Sequence, residues 1–415
     1  MKIIADLHIH SKYARATSPQ TNLENLAKWA EIKGITVLST GDFTHPKWFK
    51  ELKNELEPAE QRLFKLKNST NPTRFVLGSE ISCIYSYNNM VRKVHVLIFA
   101  PSFGVVEKIN AELGRIGNLK ADGRPILGIN VQELARIIFD VSKDCFVVPA
   151  HIWTPWFSMF GSKSGFDSIE ECFGEYSKYI YAVETGLSSD SAMNWRLSAL
   201  DNIALISNSD SHSPQKVGRE ANVFDCELSY NEIFDAIKSK DNKKFLYTIE
   251  FFPQKGKYHY DGHRKCNVSC SPQETEKYGG ICPVCGKPLT IGVMNRVEQL
   301  ADRPLNFKPK NAIPFKNLVP LKEIIGEAIG LGSATKGVEK HYKELIGIFD
   351  NELKILLHIP YSELEKTALL KIAQGILRVR NGKVFIEPGY DGVYGKVKIF
   401  SETQKTQKIN QTTLF

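Results

Sequence analysis

From the first residue to about residue 250, short apolar runs alternate with longer polar stretches whose apolar positions recur at helical spacing. The runs at 2–5, 37–39, 75–78, 94–99, 146–149, 181–184 and 204–208 predict strands. Stretches such as 23–33, 58–67, 131–139 and 230–238 predict helices. Repeated strand–helix alternation predicts an α/β fold with a largely parallel sheet or barrel. Seven such strands make a distorted seven-stranded barrel the natural closed form. In folds of this kind the chemistry gathers at the C-terminal ends of the strands.

The pattern changes after residue 252. Residues 253–295 hold a cluster of cysteines, and 296–400 are mainly helical, with helices expected at 318–331, 334–350 and 361–379. A glycine-rich string at 330–337 reads as a helix–helix turn whose amides could take a phosphate. The end segment is basic and β-like around Arg378, Arg380, Lys383, Lys396 and Lys398, with a turn at 389–395. Residues 401–415 form a polar tail expected to be disordered. The division is therefore a barrel over 1–252, a cysteine module over 253–295, a helical region over 296–400 and a tail.

Composition narrows this only slightly. The chain has 415 residues and a formal charge of +8, a mild basic excess compatible with a nucleic-acid partner. No apolar run reaches the roughly 18–20 residues of a membrane span. Asp6, His8 and His10 interrupt the only early apolar run, so no signal peptide is expected. A cytoplasmic, nucleoid-associated protein is the resulting expectation. Four of the eight cysteines are scattered, as in a reducing compartment, and four are clustered.

Strand ends carry the candidate chemistry. Asp6, His8 and His10 alternate at the end of the first strand, so their side chains share a face. Asp42 and His45 follow the second strand, Glu80 the third, and His95 lies within the fourth. His151 follows the fifth, Glu184 ends the sixth, and Asp210 and His212 follow the seventh. Taken singly, each has an ordinary reading: a helix cap, a solvated loop residue or, for His95, a core histidine. The series together points to divalent metal, since imidazole and carboxylate suit Zn, Mn and Fe. Lys12 and Arg15, just past the histidine pair, could hold phosphate or form a solvated loop. Trp153, Trp156, Phe157 and Phe160 could wall a substrate beside the metals or pack the barrel.

Cys266-x3-Cys270 followed by Cys282-Pro-Val-Cys285-Gly reads as a four-cysteine structural zinc module. Four cysteines already complete such a site, which leaves the neighbouring His259 and His263 outside it. The tail ends in Gln411-Thr-Thr-Leu414-Phe415, two large apolar residues at the end of a polar segment.

Five of these segments occur in the order of a known family's motifs. Asp-Leu-His-Ile-His-Ser, the Gly-Ser-Glu ending at Glu80, the Val-His-Val around His95, the Ala-His ending at His151 and the Ser-Asp-Ser-His ending at His212 resemble the PHP (polymerase and histidinol phosphatase) domain. The resemblance covers about the first 220 residues. It implies a distorted (β/α)7 barrel with two or three catalytic divalent metals (Zn, Mg or Mn). By motif, His8, His10, Glu80 and Asp210 would hold one metal, and Glu80, His95 and His151 a second, with Glu80 bridging. His212 would belong to a third, with Asp42 or His45 as further candidates. The chain departs from the common pattern where Ala16 and Phe43 replace histidines. Among these residues Asp210, His8, His10 and Glu80 would carry catalysis of phosphoester hydrolysis.

The opening Asp-Leu-His-Ile-His-Ser-Lys-Tyr-Ala-Arg-Ala-Thr-Ser and the Pro-Ala-His-Ile-Trp-Thr-Pro-Trp-Phe segment at 149–157 further resemble the endonuclease Q family of DNA-repair nucleases. That resemblance implies cutting of DNA on the 5′ side of deaminated bases (hypoxanthine, uracil, xanthine) and abasic sites. The Gln-x-x-Leu-Phe terminus is similar to peptides that dock on sliding clamps, PCNA or the bacterial clamp, with Gln411, Leu414 and Phe415 as the contacts. The barrel alone would equally suit a small-molecule phosphatase of the histidinol-phosphate type, but the zinc module, basic end segment and terminal peptide have no role there. A non-catalytic scaffold with a decayed site would be expected to lack several of the ligand positions.

Overall fold

A computed structural model describes residues 1–401. The terminal peptide carrying Gln411, Leu414 and Phe415 lies outside the described residues. The chain forms a distorted (β/α)7 barrel, followed by a small cysteine-bearing module and a mainly helical C-terminal region.

Seven strands make the ring: β1 (Lys2–Asp6), β2 (Val37–Ser39), β3 (Arg74–Tyr87), β4 (Met90–Ala100), β5 (Phe146–Pro149), β6 (Ala182–Glu184) and β7 (Ala204–Ile206). β1, β2 and β3 pair in parallel, as do β6 and β7. β3, β4 and β5 instead pair antiparallel, so the expectation of a largely parallel sheet holds for only part of the ring. The reason is local: Asn88 and Asn89 both take positive φ, 50° and 60°, between β3 and β4. Two such residues in a two-residue loop turn the chain back on itself as a hairpin. The gaps close through single contacts at strand ends. Ile152 N donates to Glu184 O, Leu7 N donates to Asn208 Oδ1, and Ile9 bridges to Ser211.

Outside the ring, β8 (Ala221–Asp225) runs antiparallel to β1, β9 (Phe245–Glu250) antiparallel to β8, and Phe315–Asn317 parallel to β9. This ladder joins the C-terminal region to the barrel. Helix Leu23–Lys33 forms where its spacing predicts, capped by the Asn22 side chain and ended by Gly34 at φ 88°. Residues 58–67 do not form a helix. Leu56–Pro58 and Phe64–Leu66 pair as short strands, because Phe64 and Leu66 alternate with lysine and Pro58 cannot continue a helix interior. The helix expected over 361–379 is two, Tyr361–Thr367 and Leu370–Arg380, divided at extended Leu369.

The C-terminal helices dock on the barrel through a buried polar contact. Lys33 Nζ and Tyr342 Oη each reach Glu352 Oε2 at 2.6 Å, and Leu321 N donates to its Oε1 at 3.1 Å. Among the described residues no helix is long and apolar enough to cross a membrane.

Three carboxylates are buried near the end of β9: Asp190, Glu220 and Glu250, the last residue of that strand. Burial, then the nearby Asp190 charge, pushes Glu250 up to about 7. A carboxylate raised on folding binds protons that the unfolded chain has released, so stability falls as pH rises from the usual carboxylate range through 7. Glu250→Gln is therefore expected to lose less stability than wild type between pH 5 and pH 8, by on the order of 3 kcal/mol. Urea unfolding of both proteins at the two pH values checks this.

Candidate metal centre

The ring strands deliver their polar ends to one point. Alternation along the continuation of β1 turns His8 and His10 the same way, and both are buried. Asp210, just past β7, sits at φ 44°, and His151, just past β5, at φ 29°, both turned out of ordinary extended geometry. His151 needs a close approach: a Cβ on Gly186 would lie 2.5 Å from the His151 Cβ. On the antiparallel β3 and β4, Glu80 stands opposite Leu97 and His95 opposite Ser82, so the Glu80 and His95 side chains are diagonal neighbours on one face.

These side chains form two donor groups. One ligand atom each from His8, His10 and Asp210 lie within 4.8 Å of one another, and so do those of Glu80, His95 and His151. Glu80 joins the groups. Its Oε2 is 3.5 Å from His8 Nε2 and 3.2 Å from His10 Nε2, while its Oε1 is 2.7 Å from His95 Nδ1 and 3.1 Å from His151 Nε2. Asp210 Oδ1 stands 3.6 Å from His8 Nε2 and 3.2 Å from His10 Nε2. His8 Nε2, His10 Nε2 and Asp210 Oδ1 are buried without a hydrogen-bond partner. Buried polar atoms are ordinarily paired, so three that converge fit a cation between them.

A second layer fixes the imidazoles. Both Glu184 oxygens stand 3.0 Å from His8 Nδ1, and Glu184 also accepts from His151 N and Asn208 Nδ2. Asp42 Oδ1 lies 2.9 Å from His10 Nδ1, and its Oδ2 accepts from Ser11 N and Oγ. Carboxylates in this position set the ring orientation and leave Nε2 facing inward. Asp6 does not orient an imidazole. Its carboxylate accepts from Ser209 N and Gly218 N, holding the chain after β7 against β1, and burial pushes it up to about 6. Arg219 Nε donates to Ser209 O and fixes the same turn.

Charge is concentrated here. Burial alone would lower His8 and His10, but Glu184, Glu80 and Asp210 around His8, and Asp42 and Asp210 around His10, hold both well above the usual range. Burial would raise Glu80, yet His95, Arg124 and His8 hold it well below the carboxylate range. His95 goes the other way: burial lowers it to about 4, a neutral ring suited to donating a lone pair.

Several expected residues lie elsewhere. Asp42 contacts His10 rather than joining the donors, because its β2 end sits behind the imidazole. His45 caps a helix and stacks on Tyr13 at 4.4 Å. His212 packs its ring 4.6 Å from His10 at the rim, outside both donor groups. Lys12 pairs with Glu51 at 2.9 Å, and Arg15 is exposed beside Asp122. Trp153 is 1% exposed and donates to Asn194 Oδ1 at 2.8 Å, so it packs the barrel, as does buried Phe160. Trp156 is 50% exposed, with Lys93 Nζ 5.0 Å from its ring, and Phe157 lies 4.9 Å from the His95 ring. Arg124, Asn208 and Arg219 carried no motif signal in the sequence.

The donor group that meets in the cysteine module is not the four cysteines expected. His263, Cys266, Cys282 and Cys285 bring donor atoms within 4.8 Å of one another, with Cys285 Sγ 3.4 Å from His263 Nδ1. Cys270 is not in this group. The ladder Asp261–His263 with Val268–Cys270 sets Cys270 opposite Asp261, two positions from His263, where it is buried with Leu289. Burial would raise Cys282, but the N–H groups of Cys285 and Val284, with His263, bring it down to about 7. A thiol so poised is readily a thiolate ligand.

Comparison with known proteins places this geometry. Residues 320–383 match the family described as the MJ0043 C-terminal domain. The uncharacterized protein MJ0043 of Methanocaldococcus jannaschii is 35% identical over 265 residues, 62% of this chain and 32% of that protein, so the chain spans about a third of that relative. The uncharacterized protein YqxK of Bacillus subtilis is 29% identical over 411 residues, 96% of this chain and 99% of that protein. The crystal structure of the lesion-specific endonuclease PfuEndoQ from Pyrococcus furiosus superposes with a TM-score of 0.86 at 31% identity, covering 99% of this chain and 98% of that one. A structure of endonuclease Q with a 27-mer duplex bearing an abasic lesion at the active site gives 0.85 at 31% identity, covering 99% and 100%.

Proposed function

The chain belongs to the endonuclease Q family, and on that premise we propose that it is a metal-dependent DNA-repair endonuclease. The observation that carries the reading is the meeting of two donor groups on the single carboxylate of Glu80. In this reading His8, His10, Asp210 and Glu80 hold one divalent metal, and Glu80, His95 and His151 a second. Metals held there would supply a water of lowered pKa and charge stabilisation for the oxygens of a phosphodiester. Glu184 and Asp42 keep His8 and His10 oriented. His212, at the rim, would serve a third ion. His263, Cys266, Cys282 and Cys285 would hold one structural zinc.

The bond cut would be the one 5′ to hypoxanthine, uracil, xanthine or an abasic site. Recognition of a damaged base requires extruding it, and mispaired bases cost least to extrude. Exposed Trp156, with Phe157 beside His95, supports a stacking surface next to the metals. Clamp recruitment through Gln411, Leu414 and Phe415 rests on the terminal peptide alone.

The test uses duplex DNA with one deoxyinosine, an undamaged duplex and p-nitrophenyl phosphate, each with Mn²⁺. Lesion-dependent nicking that disappears in Asp210→Ala is expected, and turnover of the small ester alone contradicts it. Trp156→Ala should slow lesion cutting by about 10-fold, the scale of one lost base stack, with metal content unchanged. Unaltered cutting, or loss of metal or fold, removes Trp156 from the reading.

A further inference from the structure

The rim of the metal centre carries a cation that the donor set does not use. Arg124 sits on a strap, residues 118–125, that passes beside the site. Its Nη1 donates to Glu80 Oε2 at 3.0 Å, the oxygen that also faces His8 and His10. That is the one hydrogen bond its guanidinium makes among the described residues. The side chain is 27% exposed, so it lies between the buried donors and solvent.

The strap is held in register with the site. Gly123 N donates to Tyr13 O at 3.0 Å, and Ser82 N donates to Pro125 O at 3.0 Å. Asp122 Oδ1 accepts from Arg15 N and Arg124 N, both at 3.1 Å. Gly123 passes so close that a Cβ would lie 2.4 Å from Asp42 Oδ2, on the carboxylate that orients His10.

The neighbouring cations are placed differently. Lys12 is neutralised by Glu51, and the Arg15 side chain is 80% exposed. A guanidinium offers five N–H donors in a planar fork, which matches two oxygens of one phosphate. With Nη1 on Glu80, the Nε and Nη2 donors of Arg124 remain for a ligand.

We propose that Arg124 binds the scissile phosphate, donating to its non-bridging oxygens while Nη1 stays on Glu80. This rests on the phosphodiesterase reading above and adds the residue that grips its substrate. The contact neutralises phosphate charge and sets the phosphorus against the donor groups, as a fork does and a point charge does not.

The test has one arm that does not depend on catalysis. Inorganic phosphate is titrated calorimetrically into full-length protein loaded with Mn²⁺, as wild type, Arg124→Lys and Arg124→Ala. Arg124→Ala is expected to weaken phosphate binding by about tenfold or more, the scale of a lost charge-assisted hydrogen bond, with Arg124→Lys between. In a second arm, single-turnover cutting of the deoxyinosine duplex is expected to fall by about 10²-fold or more in Arg124→Ala, with manganese content equal to wild type. Phosphate affinity within twofold of wild type overturns the proposal. Loss of bound manganese alongside the lost rate also overturns it, because Arg124 would then only position Glu80. Arg124-dependent phosphate binding in a wild-type protein that does not cut lesion DNA would uphold this inference while contradicting the repair reading.

Discussion

Glu80→Gln is expected to reduce nicking of lesion-bearing DNA by about 10³-fold or more and to lower bound divalent metal at both positions. The side chain is nearly isosteric, so the barrel should remain folded. What changes is charge. Among the described residues, Glu80 is the one whose two oxygens face the two donor groups, Oε2 toward His8 and His10 and Oε1 toward His95 and His151. An amide would offer one of these groups a nitrogen donor in place of a lone pair. It would also leave the Arg124 guanidinium without a charged partner. Several kcal/mol of transition-state stabilisation depend on metals held in this way, and each 1.36 kcal/mol is about tenfold in rate. Elemental analysis of the purified variant, with single-turnover cutting, checks the effect. A variant with full metal and an unchanged rate would show that Glu80 does not join the groups.

The second large effect concerns the cysteine module. His263→Ala and Cys282→Ser are each expected to release one zinc and unfold the segment from strand Asp261–His263 to Leu289. Cys270→Ser is expected to keep the zinc. The module buries little apolar surface of its own, with Cys270, Cys282 and Leu289 as its small core. Metal binding would supply most of its folding energy, on the order of 10 kcal/mol for structural zinc. Zinc stoichiometry and hydrogen exchange across the segment distinguish the variants. Zinc lost in Cys270→Ser but retained in His263→Ala would restore the four-cysteine set read from spacing.

Much of the barrel was legible because its signals are local. Helix Leu23–Lys33 announces itself by period and caps, and each of the seven ring strands overlaps a short apolar run, although β3 and β4 extend well past theirs. Donor positions were legible for the same reason, since His8, His10, His151 and Asp210 follow strand ends and Glu80 follows the apolar run 75–78 that opens β3. The antiparallel β3–β4–β5 part was not, because the Asn88–Asn89 hairpin signal lay inside what reads as a plain strand–helix repeat. The C-terminal split at Leu369 was missed because the apolar period continues through it. Second-layer roles were harder still. Whether Asp6, Asp42 or Glu184 contacts an imidazole depends on packing between distant strands, and no spacing encodes it. His263 shows the same limit: spacing favours Cys270, and only strand register sets it aside. Trp153 and Trp156 look alike in sequence, yet one is buried and the other exposed.

The most direct test of the account is the position of the cut. A duplex carrying a single deoxyinosine, end-labelled on the lesion strand, is incubated with the full chain and Mn²⁺ and resolved beside a sequence ladder. One metal-dependent break immediately 5′ to the lesion, absent from undamaged duplex, is the predicted result. No cleavage, or cleavage spread along both duplexes without regard to the lesion, would contradict it.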